Sequence, residues 1–295
     1  MAAGPVARVR NDRPASPLVL RATVIASRAV RTFVAAGQML QHTFEQAVLH
    51  GTTPAERQQI TIALYDQTTL YANRAPFAWE RPWFTTALGD PSLANHRVLV
   101  LAGGGGCESE LLAAMGWPVL HTDASVALVE LARGRLRTHT RVHACLPLTF
   151  EQVADHGEGQ GVRLPTALHG PFAGVVIGWG ALSHLPAGDA RSLLAGIGRL
   201  APTAPILASL MAMAPSAPVS RGARWGRHLG RQLAWVRAVT PSVDSADRFY
   251  PHVGYAHAWS DESLQTLAAA VDRRWVRDSP DGHAIFGRFL VRESV

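Results

Sequence analysis

The pattern of apolar positions along the chain changes character near residue 92. Before that point, apolar residues recur at helical spacing over residues 17–50. Thr53 and Pro54 then predict the N-cap and first residue of a second helix, which runs to about Tyr71. A stretch dense in aromatic residues follows. We therefore predict that residues 1–92 form a loose tail and a helical lid region.

After residue 92, short apolar runs alternate with segments of helical pattern. The runs are HRVLVL, PVLHTD, RVHAC, FAGVVIGW and PILASLMAM. Continuous apolar runs are typical of buried parallel strands, and repeated strand–helix units indicate a parallel sheet with helices on both faces. The last segment, RRWVRDSPDGHAIFGRFLVRE, predicts two strands joined by a turn at SPDG. The predicted fold class is α/β: a doubly wound, mostly parallel sheet over residues 93–295 with a terminal antiparallel hairpin.

Residues 215–256 interrupt this rhythm and form a predicted helical insertion. Its residues 220–239 are amphipathic, with an apolar stripe on one side and arginines on another. An insertion after the fifth strand is well placed to roof a site for a substrate, and a solvated helix face is the alternative. The stripe consists of Trp225, Leu229, Leu233 and Val236, and the arginines are Arg224, Arg227 and Arg231.

Composition narrows the class of protein. The 28 basic residues are all arginine, the net charge is +6, and no run of five or more basic residues occurs, so a nucleic-acid partner is disfavoured. Cys107 and Cys145 are too few for a disulfide framework, and no metal-ligand spacing is present. The chain also lacks an apolar stretch of ~20 residues and a signal-peptide pattern. We therefore expect a cytoplasmic protein without a membrane partner or a metal.

Four consecutive glycines, Gly103–Gly106, follow the first predicted strand, and Asp123 ends the second. Ligands of open parallel sheets bind beyond the carboxyl ends of the strands. Bare backbone there can lie flat against a ligand, and a carboxylate can accept hydrogen bonds from both hydroxyls of a ribose. The two features together predict a cofactor that contains a nucleoside.

Two cofactors compete for this site. The glycine fingerprint for NAD(P) requires a third small residue for close helix packing, but Glu108 or Ser109 stands at that place. A glutamate that faces a diphosphate would repel it. S-adenosylmethionine has no phosphate and carries an amine and a sulfonium, so acidic neighbours suit it better.

The motifs VLVLAGGGGCE, VLHTDAS and FAGVVIGWGALSHL and the terminal strand pair resemble those of the class I, Rossmann-like S-adenosylmethionine-dependent methyltransferases. The resemblance covers roughly residues 93–295. It implies that Gly104 and Gly106 border the methionine part of the cofactor and that Asp123 binds the ribose. It also implies that Cys145 and Leu146 lie beside the adenine. The full set of implied cofactor residues is Ala102, Gly103, Gly104, Gly106, Glu108, Asp123, Ala124, Cys145, Leu146, Gly178 and Trp179.

The chain departs from the family pattern at three positions. Val100 replaces an acidic residue of the first strand, Ala102 replaces the first glycine, and Cys145 stands where an acidic residue often contacts the adenine amine. Recognition of the cofactor's amine must therefore come from elsewhere, and Glu108 or backbone carbonyls are the candidates.

Methyl transfer is an in-line displacement in which the enzyme chiefly aligns the reacting atoms and excludes water. His184 is the best candidate base, with a helix-capping or loop-positioning role as the alternative, and His257 is predicted to line the same mouth. Tyr71 belongs to a group of aromatic residues that either close over the cofactor or attach the N-terminal helices to the sheet. The others are Tyr65, Phe77, Trp79 and Trp83.

The sequence therefore predicts an S-adenosylmethionine-dependent methyltransferase. The expected acceptor is nitrogen, or else oxygen, of a small metabolite or a peptide, as in natural-product tailoring. An NAD(P)-binding oxidoreductase and a non-catalytic protein that retains the cofactor-binding fold are the two alternatives.

Overall fold

A computed structural model describes residues 17–67, 74–89, 91, 96–156, 164–211, 220–280 and 285–292. The strands are β1 Arg97–Leu101, β2 Val119–Asp123, β3 Val142–Pro147, β4 Phe172–Ile177, β5 Ile206–Ser209, β6 Asp247–Tyr250, β7 Gly254–His257, β8 Arg273–Arg277 and β9 Phe286–Val291. The helices are α1 Pro17–Gly51, α2 Pro54–Gln67, α3 Glu80–Leu88, α4 Cys107–Ala114, α5 Val126–Leu136, α6 Phe150–Ala154, α7 Ala187–Leu200, α8 Arg221–Val236 and α9 Asp261–Ala269.

Seven strands form one sheet in the order β3-β2-β1-β4-β5-β9-β8. The first five run parallel, with Leu99 paired to Leu120 on one side and to Val175 on the other. β9 is antiparallel to both β5 and β8. The predicted α/β class, with a mostly parallel sheet and a terminal antiparallel hairpin, is confirmed.

Helices cover both faces of the sheet, as the continuous apolar runs require. On one face, α7 and α9 bury Leu194, Ile197 and Leu264 against β1, β4 and β5. On the other face, α3 and α4 bury Phe84 and Leu112. The carboxyl ends of the parallel strands are thereby held at one rigid edge.

The helices α1 and α8 pack side by side and run parallel. Glycines at every fourth position of α8 allow this, because they remove the side chains that would separate the helices. A Cβ added at Gly226 would lie 2.3 Å from the carbonyl oxygen of Thr43, and one at Gly222 would lie 2.4 Å from that of Met39. No helix in the described part of the chain has both the length and the apolar character to span a bilayer.

Three elements differ from the predictions. The helices α3 and α6 and the hairpin of β6 and β7 were not predicted, because each is short and carries polar residues inside its pattern. The helix α9 ends at Ala269, with Ala270 as its C-cap. The division into a lid region, residues 1–92, and a sheet domain stays a prediction.

Candidate functional site

The glycine loop between β1 and α4 combines two different needs for glycine. At Gly103, an added Cβ would lie 2.7 Å from the ring of His121, so the position is closed by packing. Gly104 has a positive φ of 55°, and a Cβ there would meet no atom within 4 Å. Gly104 therefore presents bare backbone to an open space at the edge of the sheet.

Gly106, at the end of this loop, and Gly178, which follows the neighbouring strand β4, serve packing and chain direction. Gly106 has φ of 91° and precedes α4, and an added Cβ would lie 3.2 Å from Ala132. At Gly178, an added Cβ would lie 2.0 Å from the carbonyl oxygen of Ala102. Ala102 itself has φ of 51°, a left-handed conformation that glycine adopts without strain.

Asp123 lies at the end of β2, buried, with its carboxylate directed toward the glycine loop. Its Oδ2 accepts a hydrogen bond from the amide of Gly104 at 2.8 Å, and its Oδ1 accepts one from the amide of Ser125 at 2.8 Å. Burial raises the pKa of Asp123, and these two hydrogen bonds oppose that rise. Ser125 in turn caps α5. Carboxylate oxygens accept more than one hydrogen bond each, so Asp123 can also accept hydrogen bonds from a ligand.

Arg74 joins two buried carboxylates beside the glycine loop. Its Nη2 lies 2.9 Å from Glu80 and 2.6 Å from Glu108. Glu108 also accepts a hydrogen bond from the amide of Trp179 at 3.1 Å. Burial, together with the charge of Glu108, raises the pKa of Glu80. The second terminal nitrogen of Arg74, Nη1, is buried and has no hydrogen-bond partner among the described residues.

Tyr65 of α2 and His184, which follows β4, form a hydrogen-bonded pair. The hydroxyl of Tyr65 lies 2.7 Å from Nε2 of His184, and Nδ1 of His184 lies 2.6 Å from the carbonyl oxygen of Tyr255. Because a carbonyl only accepts, Nδ1 must carry the proton, and neutral Nε2 accepts from the hydroxyl of Tyr65. Burial lowers the pKa of His184 to about 4, so the imidazole is neutral at physiological pH.

These groups surround one cavity of about 930 Å³, a volume that includes its open mouth. Predicted site residues that line it are Ala102, Gly103, Gly104, Glu108, Asp123, Ala124, Trp179 and His184. Lining residues that the cofactor prediction omitted come mainly from α2 and from the segment after β3, with Arg74 from the segment before α3 and Ser125 from the turn after β2. They include Gln58, Thr61, Ile62, Tyr65, Arg74, Ser125, Leu148 and Phe150.

Cys145 and Leu146 do not line the cavity, contrary to the expectation that they flank the adenine. Cys145 is buried in a cluster with Val129 and Leu136 of α5, and Leu146 packs against the main core. The predicted third strand ended at Cys145, whereas β3 continues to Pro147. The residues at the carboxyl edge therefore come later in the chain. The capping box of α6, from Thr149 to Gln152, is a sequence signal for this boundary.

Gly106 and Gly178 are also absent from the cavity lining, because they serve the close contacts described above. The insertion helix α8 contributes no lining residue, so it does not roof this cavity. Tyr71 lies outside the described residues.

His257 does not line the cavity, which corrects the prediction that it shares the mouth. It lies in β7, buried, with Nδ1 at 2.8 Å from Asp247, which also accepts a hydrogen bond from the hydroxyl of Tyr255 at 2.6 Å. Burial raises the pKa of Asp247, but these two hydrogen bonds outweigh that effect and hold the pKa below its usual range. His257 instead lines a different cleft, which Trp259 also lines.

The aromatic residues near α3 divide between two roles. Trp79 stacks on Phe286 of β9 at 4.3 Å between centroids, and Trp83 is buried against the sheet. These two residues attach α3 to the sheet, whereas Tyr65 lines the cavity. Within the described residues, no cluster of three or more His, Cys, Asp or Glu side chains is arranged to hold a metal ion.

No protein-family model matches the chain, and no curated protein sequence matches it. Among solved structures, the CcbJ methyltransferase of Streptomyces caelestis aligns with a TM-score of 0.51 at 13% identity, over 84% of this chain and 99% of that one. The 1,6-didemethyltoxoflavin-N1-methyltransferase of Burkholderia thailandensis aligns with a TM-score of 0.50 at 16% identity, over 83% and 92% of the two chains. A Rhodobacter sphaeroides protein described as a putative Zn-dependent alcohol dehydrogenase aligns with a TM-score of 0.51 at 15% identity, over 80% and 98%.

At 13–16% identity, these alignments show similarity of fold alone. The strand order distinguishes between the Rossmann-like folds of methyltransferases and of dinucleotide-binding domains. Dinucleotide-binding Rossmann domains commonly continue with a parallel sixth strand at the edge. Here β9 instead lies antiparallel between β5 and β8. The chain has the Rossmann-like fold of the class I methyltransferases.

Proposed function

We propose that this protein is an S-adenosylmethionine-dependent methyltransferase that acts on a nitrogen atom of a small molecule. One observation carries the proposal. Asp123 and the bare backbone of Gly104 stand at one end of a cavity whose next wall holds the buried pair of Arg74 and Glu108. A ribose and an amino-acid group are the two chemical features that such a site recognises.

The polar groups of the cavity fit the two ends of S-adenosylmethionine. Asp123 would accept hydrogen bonds from the ribose hydroxyls. Nη1 of Arg74, buried and without a partner in the described structure, would bind the carboxylate of the methionine part. Glu108 would accept from the ammonium group. A diphosphate would face Glu108 and Asp123 instead, which disfavours a dinucleotide.

Bound S-adenosylmethionine supplies a methyl group on a sulfonium, which is electrophilic without further activation. The protein's part is to orient the acceptor and to exclude water. His184 is a poor base, because both of its nitrogens are engaged and its pKa is about 4. A hydroxyl acceptor needs a base, whereas a neutral amine attacks through its own lone pair. We therefore favour nitrogen and assign His184 the role of positioning Tyr65.

The Burkholderia neighbour supports a small-molecule acceptor, since it is an N1-methyltransferase solved with 1,6-didemethyltoxoflavin and S-adenosylhomocysteine. We extend this to the present chain only as a class: a small metabolite with a nucleophilic nitrogen, as in natural-product tailoring. A peptide acceptor remains the second candidate, because the mouth of the cavity is open.

Calorimetric titration with S-adenosylhomocysteine and with NADH tests the cofactor assignment. We expect binding of the first ligand only, and Asp123→Ala should weaken it by about tenfold or more, since hydrogen bonds to a charged group contribute ~1.5–3 kcal/mol. Binding of NADH alone would favour the oxidoreductase instead.

A truncated ligand tests the assignment of Arg74. 5′-Methylthioadenosine lacks the amino and carboxylate groups, so the wild-type protein should bind it about tenfold or more weakly than S-adenosylhomocysteine. In Arg74→Gln this preference should shrink, while the affinity for 5′-methylthioadenosine stays unchanged. Equal loss for both ligands would mean that Arg74 only supports the fold.

Transfer of a labelled methyl group to a panel of amines and matched alcohols tests the reaction. We expect product from amines only, and His184→Gln should lower turnover more than cofactor affinity. A protein that binds the cofactor and methylates no member of either panel or of a metabolite extract would be the non-catalytic alternative.

A further inference from the structure

The two packed helices α1 and α8 expose large apolar side chains on one side. We define the exposed face as Phe33, Leu40 and Phe44 of α1 with Trp225, Leu229, Leu233 and Val236 of α8; each is 45–81% exposed. Scattered apolar residues are normal on a protein surface, but a continuous patch of this size indicates an interaction site.

Helix geometry places the exposed apolar residues of α1 and those of α8 on the same side of the helix pair. Leu40, Phe44 and Gly51 follow one another at spacings of four and seven residues along α1, so they share one face of the helix. A Cβ added at Gly51 would lie 3.6 Å from Cβ of Leu233, which belongs to the stripe of α8. The opposite side of the pair is marked by the hydrogen bond between His42 and Ser220 at 3.0 Å.

The seven residues that define the exposed face are all apolar, although α8 is rich in arginine, and Arg221, one turn before Trp225, borders the face at the start of α8. Arg224, Arg227 and Arg231 lie on the other side of the helix, since each stands about 100–160° around the helix axis from Trp225 and Leu229. Interfaces between identical subunits have this composition: apolar and aromatic residues in the centre with few charges.

We propose that the exposed face is the contact surface of a homodimer, in which α1 and α8 of two copies form a four-helix bundle. A two-fold axis through the face places each apolar stripe against that of the second copy. Stable dimers bury roughly 800 Å² per partner, and seven large side chains that are about half exposed or more supply an area of that order. Arg224, Arg227 and Arg231 point away from the axis, so these like charges do not meet, and Arg221 lies at the edge of the face.

A membrane surface is less well matched by the same geometry. Helices that lie on anionic lipids gain from arginines close to the lipid boundary. Here Arg224, Arg227 and Arg231 lie on the far side from the apolar stripe, and of the four arginines in α8 only Arg221 borders it. The face therefore favours a second copy of this chain.

Sedimentation equilibrium of the full chain without cofactor, over a concentration series, tests the proposal independently of the proposed function. We expect a dimer of the 31.7 kDa chain. The double variant Leu40→Glu/Leu229→Glu should dissociate about 100-fold or more readily. Its circular dichroism should match the wild type, because both side chains are exposed in the single chain. Arg224→Glu, on the opposite side of α8, is the matched control and should leave the dimer intact.

Three results would overturn the proposal. The first is a monomer at every concentration, and the second is a dimer that the double variant leaves unaffected. The third is a monomer that sediments with phosphatidylglycerol vesicles through this face, which would assign the face to a membrane. If the double variant fails to fold, the milder Leu40→Ser/Leu229→Ser variant gives the same comparison.

Discussion

The helices α7 and α8 are both amphipathic, yet they bury opposite kinds of side chain. α7 places Leu193, Leu194 and Ile197 in the core of the sheet domain, each fully buried. α8 instead buries Gly222, Gly226 and Gly230 against α1 and leaves its leucines and tryptophans exposed.

The difference shows that an amphipathic pattern does not by itself determine which face a helix buries in a single chain. Where a helix packs on a sheet, large apolar side chains fill the space between the two layers. Where two helices touch backbone to backbone, small residues make the contact, and a large apolar stripe beside it stays available for another partner. Variants of α7 and α8 test this contrast, and a change of pH tests the buried packing of the sheet domain by itself.

The largest effect is expected from truncating the buried stripe of α7. Leu194→Ala should lower the free energy of unfolding by about 2–5 kcal/mol, because it leaves a cavity in a packed core. Denaturant unfolding monitored by circular dichroism measures the change. A loss below about 1 kcal/mol would mean that α7 packs as loosely as the outer side of α8.

Low pH should lower the free energy of unfolding of the sheet domain, because its buried histidines are neutral in the folded state and bind protons on unfolding. Burial lowers the pKa of His121 to about 4, so between pH 6.5 and 4 the unfolded chain binds more protons than the folded one. Stability is therefore full above pH 6.5 and falls as the pH drops, by about 2 kcal/mol for His121 at pH 5.

Unfolding at pH 7 and pH 5 measures this loss, and His121→Asn is the comparison variant. The variant should lose about 2 kcal/mol less than the wild type over this interval. An equal loss in both proteins would place the acid sensitivity elsewhere.

The glycine contact of α8 should respond to a single methyl group. Gly226→Ala brings Cβ against the carbonyl oxygen of Thr43 and should destabilise the protein by about 1 kcal/mol net of the better helix propensity. Gly198→Ala in α7 is the matched control, because a Cβ there meets no atom within 4 Å, and it should stabilise by up to about 1 kcal/mol. Thermal unfolding of both variants distinguishes the expected destabilisation by Gly226→Ala from the expected stabilisation by Gly198→Ala.

The smallest effect is expected at the exposed stripe. Leu229 is 48% exposed, so Leu229→Ala should change the stability of the single chain by less than about 0.5 kcal/mol. The measurement is unfolding at a concentration where the chain is monomeric. A loss as large as that of Leu194→Ala would show that the stripe is buried within one chain.

Much of the fold could be predicted from local pattern. The five apolar runs became β1 to β5, and the SPDG turn correctly indicated a terminal strand pair. The short helices α3 and α6 and the hairpin of β6 and β7 were not predicted, because a few residues do not establish a hydrophobic period. The cavity could be predicted in outline, since a glycine loop and Asp123 follow neighbouring strands and must meet at one edge.

The remainder of the site depends on contacts between distant parts of the chain. Tyr65 meets His184 across 119 residues, and Arg74 meets Glu108 across 34. Neither pair belongs to a shared motif. Cys145, predicted to lie beside the adenine, does not line the cavity, because β3 continues two residues beyond it and Leu148 and Phe150 line the cavity instead.

The sequence by itself determined the strands, the glycine loop and the acidic end of β2, because hydrophobic period and backbone freedom act within a few neighbouring residues. Only the tertiary structure decided which arginine stands beside the loop, which histidine lines the cavity and which side of α8 is covered. These depend on how separate elements pack, and packing selects among side chains that the local pattern leaves equivalent.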